Sequence, residues 1–371
     1  MKQRHTWLAV LVFAASCLRP SEERAERDLE VGIATESGVS VVVEDGLAAV
    51  RALDANKLTL WGSAPAFAVE LALQSAQTDP GNPGGLSIDV EVQNCLTDAE
   101  LRIVEPADAT LTALEASDVP TRKTWRLRAP SGRARIVLTP PHLEDMAPFR
   151  FALLSDVQEA IDDVSDVFER INEQSGLSFL LGAGDLTERG ERGELERFQR
   201  ELLRLRIPYF TTLGNHELGT SPELFHEYFG RGNLQFRFHG VYFTLLDSAS
   251  ATLDPIVYGW LDDWLTRARA DVNIVAMQIP PIDPIGVRNG SWASRSEAAK
   301  LLGRLAEGHV DMTLYGHVHS YYSFDNAGIP AFISGGGGAI PERFDRIGRH
   351  FMVFEVDAKD GVTSRQVIKV D

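Results

Sequence analysis

The sequence has only two cysteines, Cys17 and Cys95, among its 371 residues. Two cysteines allow at most one intramolecular disulfide, so a fold held together by a disulfide framework is excluded. We expect Cys95 to be a buried side chain that packs as a small hydrophobic group. An ordinary apolar core is available instead, because 44% of the residues are hydrophobic.

Positive charge is also scarce, since the sequence has 36 Lys and Arg residues compared with 53 Asp and Glu residues, and the net charge is −17. A protein that binds nucleic acid without regard to sequence needs a basic surface to displace counterions, so that class is excluded. A phosphate ester remains an acceptable substrate, because a bound cation can dominate the electrostatic field locally.

The apolar run at the N-terminus covers only residues 7–16, which is too short to span a bilayer. It follows Lys2 and Arg4, as in an export signal, and it ends in small residues directly before Cys17. This arrangement resembles a bacterial lipoprotein signal, in which the cysteine becomes the lipidated first residue. The resemblance implies signal residues 1–17 and an exported protein of the bacterial cell envelope, associated with the membrane through lipidated Cys17. A simple secretion signal and an uncleaved N-terminus are the alternatives.

Three further segments follow the signal. Residues 18–28 are polar and mixed in charge, which predicts a tether. Residues 29–145 consist of short apolar runs separated by turn residues, which predicts a small all-β, sandwich-like domain. This domain contains no His or Cys cluster, so we interpret it as a spacer or a module for an unidentified partner. A proline-rich linker then leads to residues 149–371.

Residues 149–371 alternate between strand and helix patterns, which indicates an α/β domain of two sheets packed face to face with helices outside. The principal predicted strands are 149–154, 177–182, 207–213, 242–246, 272–277, 310–314, 331–334 and 351–356. The predicted helices are 161–174, 194–205, 258–268 and 295–306.

Polar residues follow five of these strands, at the end of the strand where α/β folds place their sites. They are Ser155-Asp156-Val157-Gln158, Gly184-Asp185 with Arg189, Gly214-Asn215-His216-Glu217, Gln278, and Gly316-His317-Val318-His319. Each segment alone could be a helix cap or a turn. Five in succession predict one site, and their carboxylates and imidazoles are typical ligands of divalent metals.

The order of these segments resembles the calcineurin-like metallophosphoesterase family, over about residues 149–371. The resemblance implies two metal ions that share Asp185. It assigns Asp156, Asp185 and His319 to the first ion and Asp185, Asn215 and His317 to the second. It further implies that His216 protonates the leaving oxygen and that Arg189 grips the phosphate.

Gln158 and Gln278 stand where this family has histidines. A glutamine can offer a neutral amide oxygen, which is a harder donor than imidazole. The ligand set therefore suits Mn²⁺, Fe²⁺ or Zn²⁺, and the two glutamines shift the preference toward Mn²⁺ or Mg²⁺.

Other catalytic motifs are missing from the sequence, including a Gly-x-x-x-x-Gly-Lys-Ser/Thr phosphate loop, a Gly-x-Ser-x-Gly elbow and a cysteine pair spaced for zinc. The sequence predicts a phosphoesterase that hydrolyses a small phosphate mono- or diester through a water activated by two metals, with His216 as general acid. One alternative is a catalytically weak or silent lipoprotein of the same fold, acting as a binding or envelope-structural module. Another hydrolytic chemistry is the third possibility.

Overall fold

The computed structural model describes residues 20–73, 85–219, 221–286, 290–342 and 346–370. The predicted signal and Cys17 lie outside these residues. The described chain forms a β-sandwich and a larger α/β domain, and residues 140–148 connect them without strand or helix.

Ten strands lie in the described residues of the N-terminal domain. They are β1 (Ile33–Glu36), β2 (Val39–Val43), β3 (Ala48–Leu53), β4 (Lys57–Gly62), β5 (Phe67–Leu73), β6 (Leu86–Gln93), β7 (Glu100–Glu105), β8 (Thr110–Ala113), β9 (Arg122–Ala129) and β10 (Arg133–Thr139).

These strands form two five-stranded sheets, with the orders β1-β2-β5-β10-β7 and β3-β4-β6-β9-β8. Alternate residues of β6 are buried, as expected for a strand with one face toward a core. Side chains of both sheets share one apolar core, for example Val69 of β5 and Val90 of β6. The predicted all-β sandwich is therefore confirmed. Cys95 is a free, fully buried side chain in this core, and burial raises its thiol pKa to about 12.

In the second domain, the part of the chain that the structure describes forms eleven strands. They are β11 (Phe149–Leu154), β12 (Leu177–Ala183), β13 (Tyr209–Thr212), β14 (Leu234–Phe238), β15 (Val241–Leu246), β16 (Asn273–Met277), β17 (Met312–Tyr315), β18 (Tyr321–Asn326), β19 (Ile329–Ser334), β20 (His350–Asp357) and β21 (Gly361–Lys369). One sheet has the order β13-β12-β11-β20-β21, and the other has the order β14-β15-β16-β17-β19-β18.

The two sheets pack face to face through aromatic rings. The ring of Phe243 in β15 meets the edges of Phe151 in β11 and Phe179 in β12, with centroids 5.2 and 5.3 Å apart. Such edge-to-face pairs contribute about 0.5–1.5 kcal/mol each beyond the area they bury. The predicted two-sheet α/β arrangement is confirmed.

Six helices are described: α1 (Pro20–Asp28), α2 (Ser165–Asn172), α3 (Arg192–Leu202), α4 (Glu223–Phe229), α5 (Pro255–Ala268) and α6 (Arg295–Glu307). Apolar faces of α2, α3 and α4 cover the outer side of the first sheet, and those of α5 and α6 cover the second sheet. Local chemistry sets their starts, since Asp254 and Ser294 cap the first turns of α5 and α6 with side-chain oxygens. None of the helices described is long and apolar enough to cross a membrane.

The helix predicted over residues 161–174 is shorter than expected. Residues 158–163 form a 3-10 turn, and α2 begins only at Ser165. The 3-10 turn thus takes up residues 161–163, which the prediction assigned to the first turn of the helix.

The predicted tether over residues 18–28 is wrong, because most of this segment is the docked helix α1. Arg24 Nε donates to Asp247 Oδ2 at 2.6 Å, and both side chains are buried. The carboxylate of Asp28 accepts the backbone N–H of Gly232 at 2.7 Å. Two charges that indicate a solvated segment in the sequence, Arg24 and Asp28, are therefore hydrogen-bonded inside the fold to partners more than 200 positions away.

Candidate functional site

The candidate site lies where loops leave strands of both sheets. β11, β12 and β13 pair in parallel in one sheet, and β15, β16 and β17 do so in the other. The carboxyl ends of each set therefore meet at one edge. Gln278 after β16 and His317 after β17 both donate to the carboxylate of Asp156 after β11. These bonds join the two edges into one site.

Asp156 is completely buried and accepts hydrogen bonds from three residues. Ser155 Oγ lies 2.5 Å from Oδ2, and Gln278 Nε2 lies 3.1 Å from Oδ1. The backbone N–H of His317 reaches both oxygens at 2.9 and 3.0 Å. Such donors position the carboxylate and leave little freedom to rotate.

Asp185 is the second buried carboxylate. It accepts the backbone N–H of His216 and the side-chain nitrogen of Gln158, each at 3.0 Å. Burial, together with the charges of Asp156 and Glu217, raises the pKa of Asp185 well above its usual range. Among the described residues, no Lys or Arg forms an ion pair with these three carboxylates. A bound cation would therefore favour the ionised form of Asp185.

Glu217 organises two of the loops, a role that sequence reasoning did not assign. Its Oε2 accepts the backbone N–H groups of Asp185 and Gly214 at 3.0 and 2.8 Å. Its Oε1 accepts the backbone N–H of Leu186 at 2.9 Å and both the N–H and the hydroxyl of Thr187 at 3.0 Å. Burial raises the pKa of Glu217, and these donors oppose that shift. Its position directly after Asn215-His216 is the only signal in the sequence.

Backbone carbonyls fix the tautomers of two histidines in the site. His319 Nδ1 lies 2.7 Å from the carbonyl oxygen of Ile340, and His216 Nδ1 lies 2.7 Å from that of Glu188. A carbonyl can only accept, so Nδ1 carries a hydrogen in both rings. In each ring the remaining nitrogen, Nε2, faces the carboxylates. For His216, Nε2 lies 3.9 Å from Asp185 Oδ2. Holding the outer ring nitrogen in this way is typical of metal-ligating or proton-transferring histidines.

Backbone strain concentrates at this site. Asp156, Gln158, Asp185 and His317 have φ angles of +62°, +49°, +53° and +69°, which non-glycine residues rarely adopt. Strained residues of this kind persist where the surrounding structure holds them, and they cluster at functional sites. Gly316 is required for a different reason, because an added Cβ would lie about 2.5 Å from Gln278 Oε1, Ser155 Oγ and Asp156 Oδ2.

Two buried amide oxygens of the site have no hydrogen-bond partner among the described residues, namely Gln278 Oε1 and Asn215 Oδ1. An unpaired buried acceptor costs about 1–3 kcal/mol, so a ligand that satisfies it is favoured. In the described part of the chain, no three His, Cys, Asp or Glu side chains converge as a metal-binding group. A divalent ion at this site would therefore also need these amide oxygens. The donor set of carboxylate, amide and imidazole fits a hard or borderline ion such as Mn²⁺ or Mg²⁺.

The predicted site residues thus come together, with one exception. Hydrogen bonds link Asp156, Gln158, Asp185, His216, Gln278, His317 and His319, and Asn215 directly precedes His216. The side chain of Arg189 is exposed and makes no hydrogen bond or ion pair with the described residues. Its predicted contact with phosphate stays a prediction.

Residues 149–321 match the sequence family described as calcineurin-like phosphoesterase. This part of the chain is a calcineurin-like phosphoesterase domain. A 3′,5′-cyclic-nucleotide phosphodiesterase of Nostoc is 25% identical over 171 residues, which are 42% of this chain and 61% of that protein. The match therefore spans about three fifths of this curated relative.

Solved structures similar to this chain include a dimetal phosphatase from Danio rerio. It is 14% identical, with a TM-score of 0.45, over 60% of this chain and 99% of the other. A second is GAP50, the anchor in the inner membrane complex of Plasmodium, which is 15% identical with a TM-score of 0.47 over 60% of this chain and 85% of the other.

Proposed function

We propose that the protein is a metal-dependent phosphoesterase that hydrolyses a small phosphate mono- or diester. One observation carries this proposal: buried carboxylates without a Lys or Arg partner lie beside unpartnered amide oxygens, at an edge where both sheets contribute loops. Such a set of oxygen donors binds divalent cations. The match of residues 149–321 to the calcineurin-like phosphoesterase family supports phosphate esters as the substrate class.

The ligands proposed for two divalent ions come from loops of both sheets. Asp156, Asp185, His319 and, after rotation of its amide, Gln158 would hold the first ion, and Asp185, Asn215, His317 and Gln278 would hold the second. When bound, the ions would neutralise charge on the phosphate oxygens and lower the pKa of a bound water.

His216 is the proposed general acid. Its ring is oriented by the hydrogen bond from Nδ1 to the carbonyl of Glu188, so Nε2 is the atom that can hold and release a proton. That nitrogen lies on the side of Asp185, at 3.9 Å from Oδ2, and the ring is partly exposed. A substrate beside Asp185 can therefore receive the proton from Nε2 on its leaving oxygen.

Arg189 is proposed to bind the phosphate. Its guanidinium is exposed, and it follows Asp185 by four positions in the same loop. A planar guanidinium can donate two parallel hydrogen bonds to a phosphate. Arg189→Lys would therefore raise KM more than it lowers kcat.

The test is metal content and turnover of purified residues 18–371. Elemental analysis would measure bound metal, and hydrolysis with added Mn²⁺ would be assayed on a generic phosphomonoester, a phosphodiester and a 3′,5′-cyclic nucleotide. Gln278→His would be measured in parallel, because it adds an imidazole ligand. We expect bound metal and turnover in the natural chain. Neither metal nor turnover in either protein would overturn the proposal.

A second candidate function is a silent binding module on the same scaffold. It is favoured by the amide nitrogens of Gln158 and Gln278, which donate to Asp185 and Asp156 and so occupy these carboxylates without a metal. Turnover that appears only in Gln278→His would favour this candidate.

We also propose export and lipid anchoring through Cys17. Helix α1 begins three residues after Cys17, and its Arg24 and Asp28 are buried against the phosphoesterase domain. The domain would then stand close to the membrane rather than at the end of a flexible tether. Labelling with radioactive palmitate, lost in Cys17→Ser, tests the anchor.

A further inference from the structure

The amide of Gln158 bridges two ligands that the proposed function assigns to one ion. Its Nε2 lies 3.0 Å from Asp185 Oδ2 and 3.1 Å from His319 Nε2. His319 carries its hydrogen on Nδ1, because that atom faces the carbonyl of Ile340, so Nε2 presents a lone pair. The carboxylate of Asp185 is also an acceptor. Both partners therefore require the nitrogen of the amide, and each takes one of its hydrogens.

On the other side of the site, the amide of Gln278 leaves its oxygen without a partner among the described residues. Gln278 Nε2 donates to Asp156 Oδ1 at 3.1 Å, which leaves its Oε1 as the unpartnered atom. The Gln278 side chain is completely buried, so this oxygen has no access to solvent. Asn215 Oδ1 is likewise buried without a partner among the described residues. One side of the site is thus satisfied by the protein itself, while the other presents oxygen atoms that need a cation or a donor.

We propose that the two metal positions are unequal and that Gln158 is the cause. The open position, formed by Asp185 with Asn215, His317 and Gln278, takes a divalent ion first. The closed position, between Asp185 and His319, takes an ion only after the Gln158 amide has turned its nitrogen away from these two residues, so that its oxygen can face the ion. This inference rests on the proposed function, because it concerns the same metal site.

The size of the difference follows from what an ion must displace. At the closed position an ion competes with two hydrogen bonds of Gln158, one of them to a carboxylate. Hydrogen bonds to charged groups are strong, so the closed position should bind a divalent ion at least about tenfold more weakly than the open position does. At the open position no such bond to Asn215 Oδ1 or Gln278 Oε1 is broken. Gln158 is only 4% exposed, so it cannot exchange its partners for water without moving.

The test is a Mn²⁺ titration of residues 18–371, with free Mn²⁺ counted by its electron paramagnetic resonance signal. We expect one ion per chain to bind first in the natural protein and a second at least tenfold more weakly. Gln158→Ala removes the competing amide and should bring the two affinities closer together. Gln158→His replaces the donor by an imidazole ligand and should bind two ions with similar affinity. Gln174→Ala, at a partly exposed glutamine outside the site, is the control.

Two ions of equal affinity in the natural protein would overturn the inference while leaving a metal-dependent function intact. The same holds if both Gln158→Ala and Gln158→His keep the unequal affinities of the natural protein. No bound ion in any of the proteins would overturn the proposed function, and the inference with it. Circular dichroism of each variant shows that it is folded, and Gln158→His retains a large side chain in case Gln158→Ala does not fold.

Discussion

The carboxylate of Glu217 accepts a hydrogen bond from the backbone N–H of Asp185 at 3.0 Å, although Glu217 is not itself one of the proposed metal ligands. Through five donors it fixes the loop after β12 against the loop after β13. It therefore places the carboxylate shared by both proposed ions.

Glu217→Gln should destabilise the protein by about 2–4 kcal/mol, since an amide cannot accept all of these donors and hydrogen bonds to a buried charge are strong. Denaturant unfolding followed by circular dichroism measures the change, and metal affinity should fall as well. Glu169→Gln, at an exposed position of α2, is the matched control and should stay within about 0.5 kcal/mol. Equal stabilities of the two variants would contradict this role.

Gly316→Ala should disrupt the site, because its Cβ would meet the side chains of Gln278, Ser155 and Asp156. Overpacking of this kind costs about 1–3 kcal/mol, and it would displace the oxygen atoms proposed to bind metal. Metal affinity and thermal unfolding report the effect. Gly259→Ala is the control, because nothing lies within 4 Å of its added Cβ in α5, and it should stabilise the protein by about 0.5–1 kcal/mol. A metal affinity of Gly316→Ala equal to that of the natural chain would contradict this crowding.

Arg24→Ala should destabilise the protein by about 3–5 kcal/mol, because it leaves the buried carboxylate of Asp247 without its partner. Arg27→Ala, on an exposed face of the same helix, should change stability by less than about 0.5 kcal/mol. The two variants are compared by chemical denaturation. Similar, small effects would mean that α1 is not docked as described.

The pH dependence of stability should reflect Asp185. Its folded-state pKa is raised by burial and by Asp156 and Glu217, with His216 and Gln158 also facing it. A carboxyl with a raised pKa contributes stability below its unfolded pKa, and this contribution is lost as pH rises through the folded pKa. The metal-free natural chain should therefore lose stability relative to Asp185→Asn as pH rises. Unfolding in EDTA between about pH 4 and pH 8 measures the difference, and a difference that does not grow with pH would contradict it.

The sequence predicts the two-sheet architecture and the loops of the site because both follow from local patterns. Strand periodicity places the ends of β11, β12, β16 and β17, and the polar residues directly after them are visible without any long-range information. Parallel pairing then brings these loops to one edge. The short strand β14 and the seven-residue helix α4 are missed, since such short elements give little periodic signal.

The docking of α1 and the orientation of Gln158 are not predictable in this way. Arg24 and Asp28 look like solvated charges until their partners, far away in sequence, are known. The chemistry of glutamine predicts that Gln158 offers an amide oxygen to a metal, yet its nitrogen faces Asp185 and His319 in the structure. Which end of an amide points inward depends on the hydrogen-bonding capacity of its neighbours, and residue identity alone does not supply that.

The central claim is that this site hydrolyses phosphate esters with the aid of divalent metal and His216. The most direct measurement is Mn²⁺-dependent hydrolysis of a phosphodiester and a phosphomonoester by the natural chain, Asp185→Asn and His216→Asn. We predict turnover in the natural chain that EDTA abolishes. Asp185→Asn should be inactive, and His216→Asn should be about 10²- to 10⁴-fold slower on a poor leaving group while retaining bound metal. Equal turnover in all three proteins, or turnover indifferent to EDTA, would contradict the account.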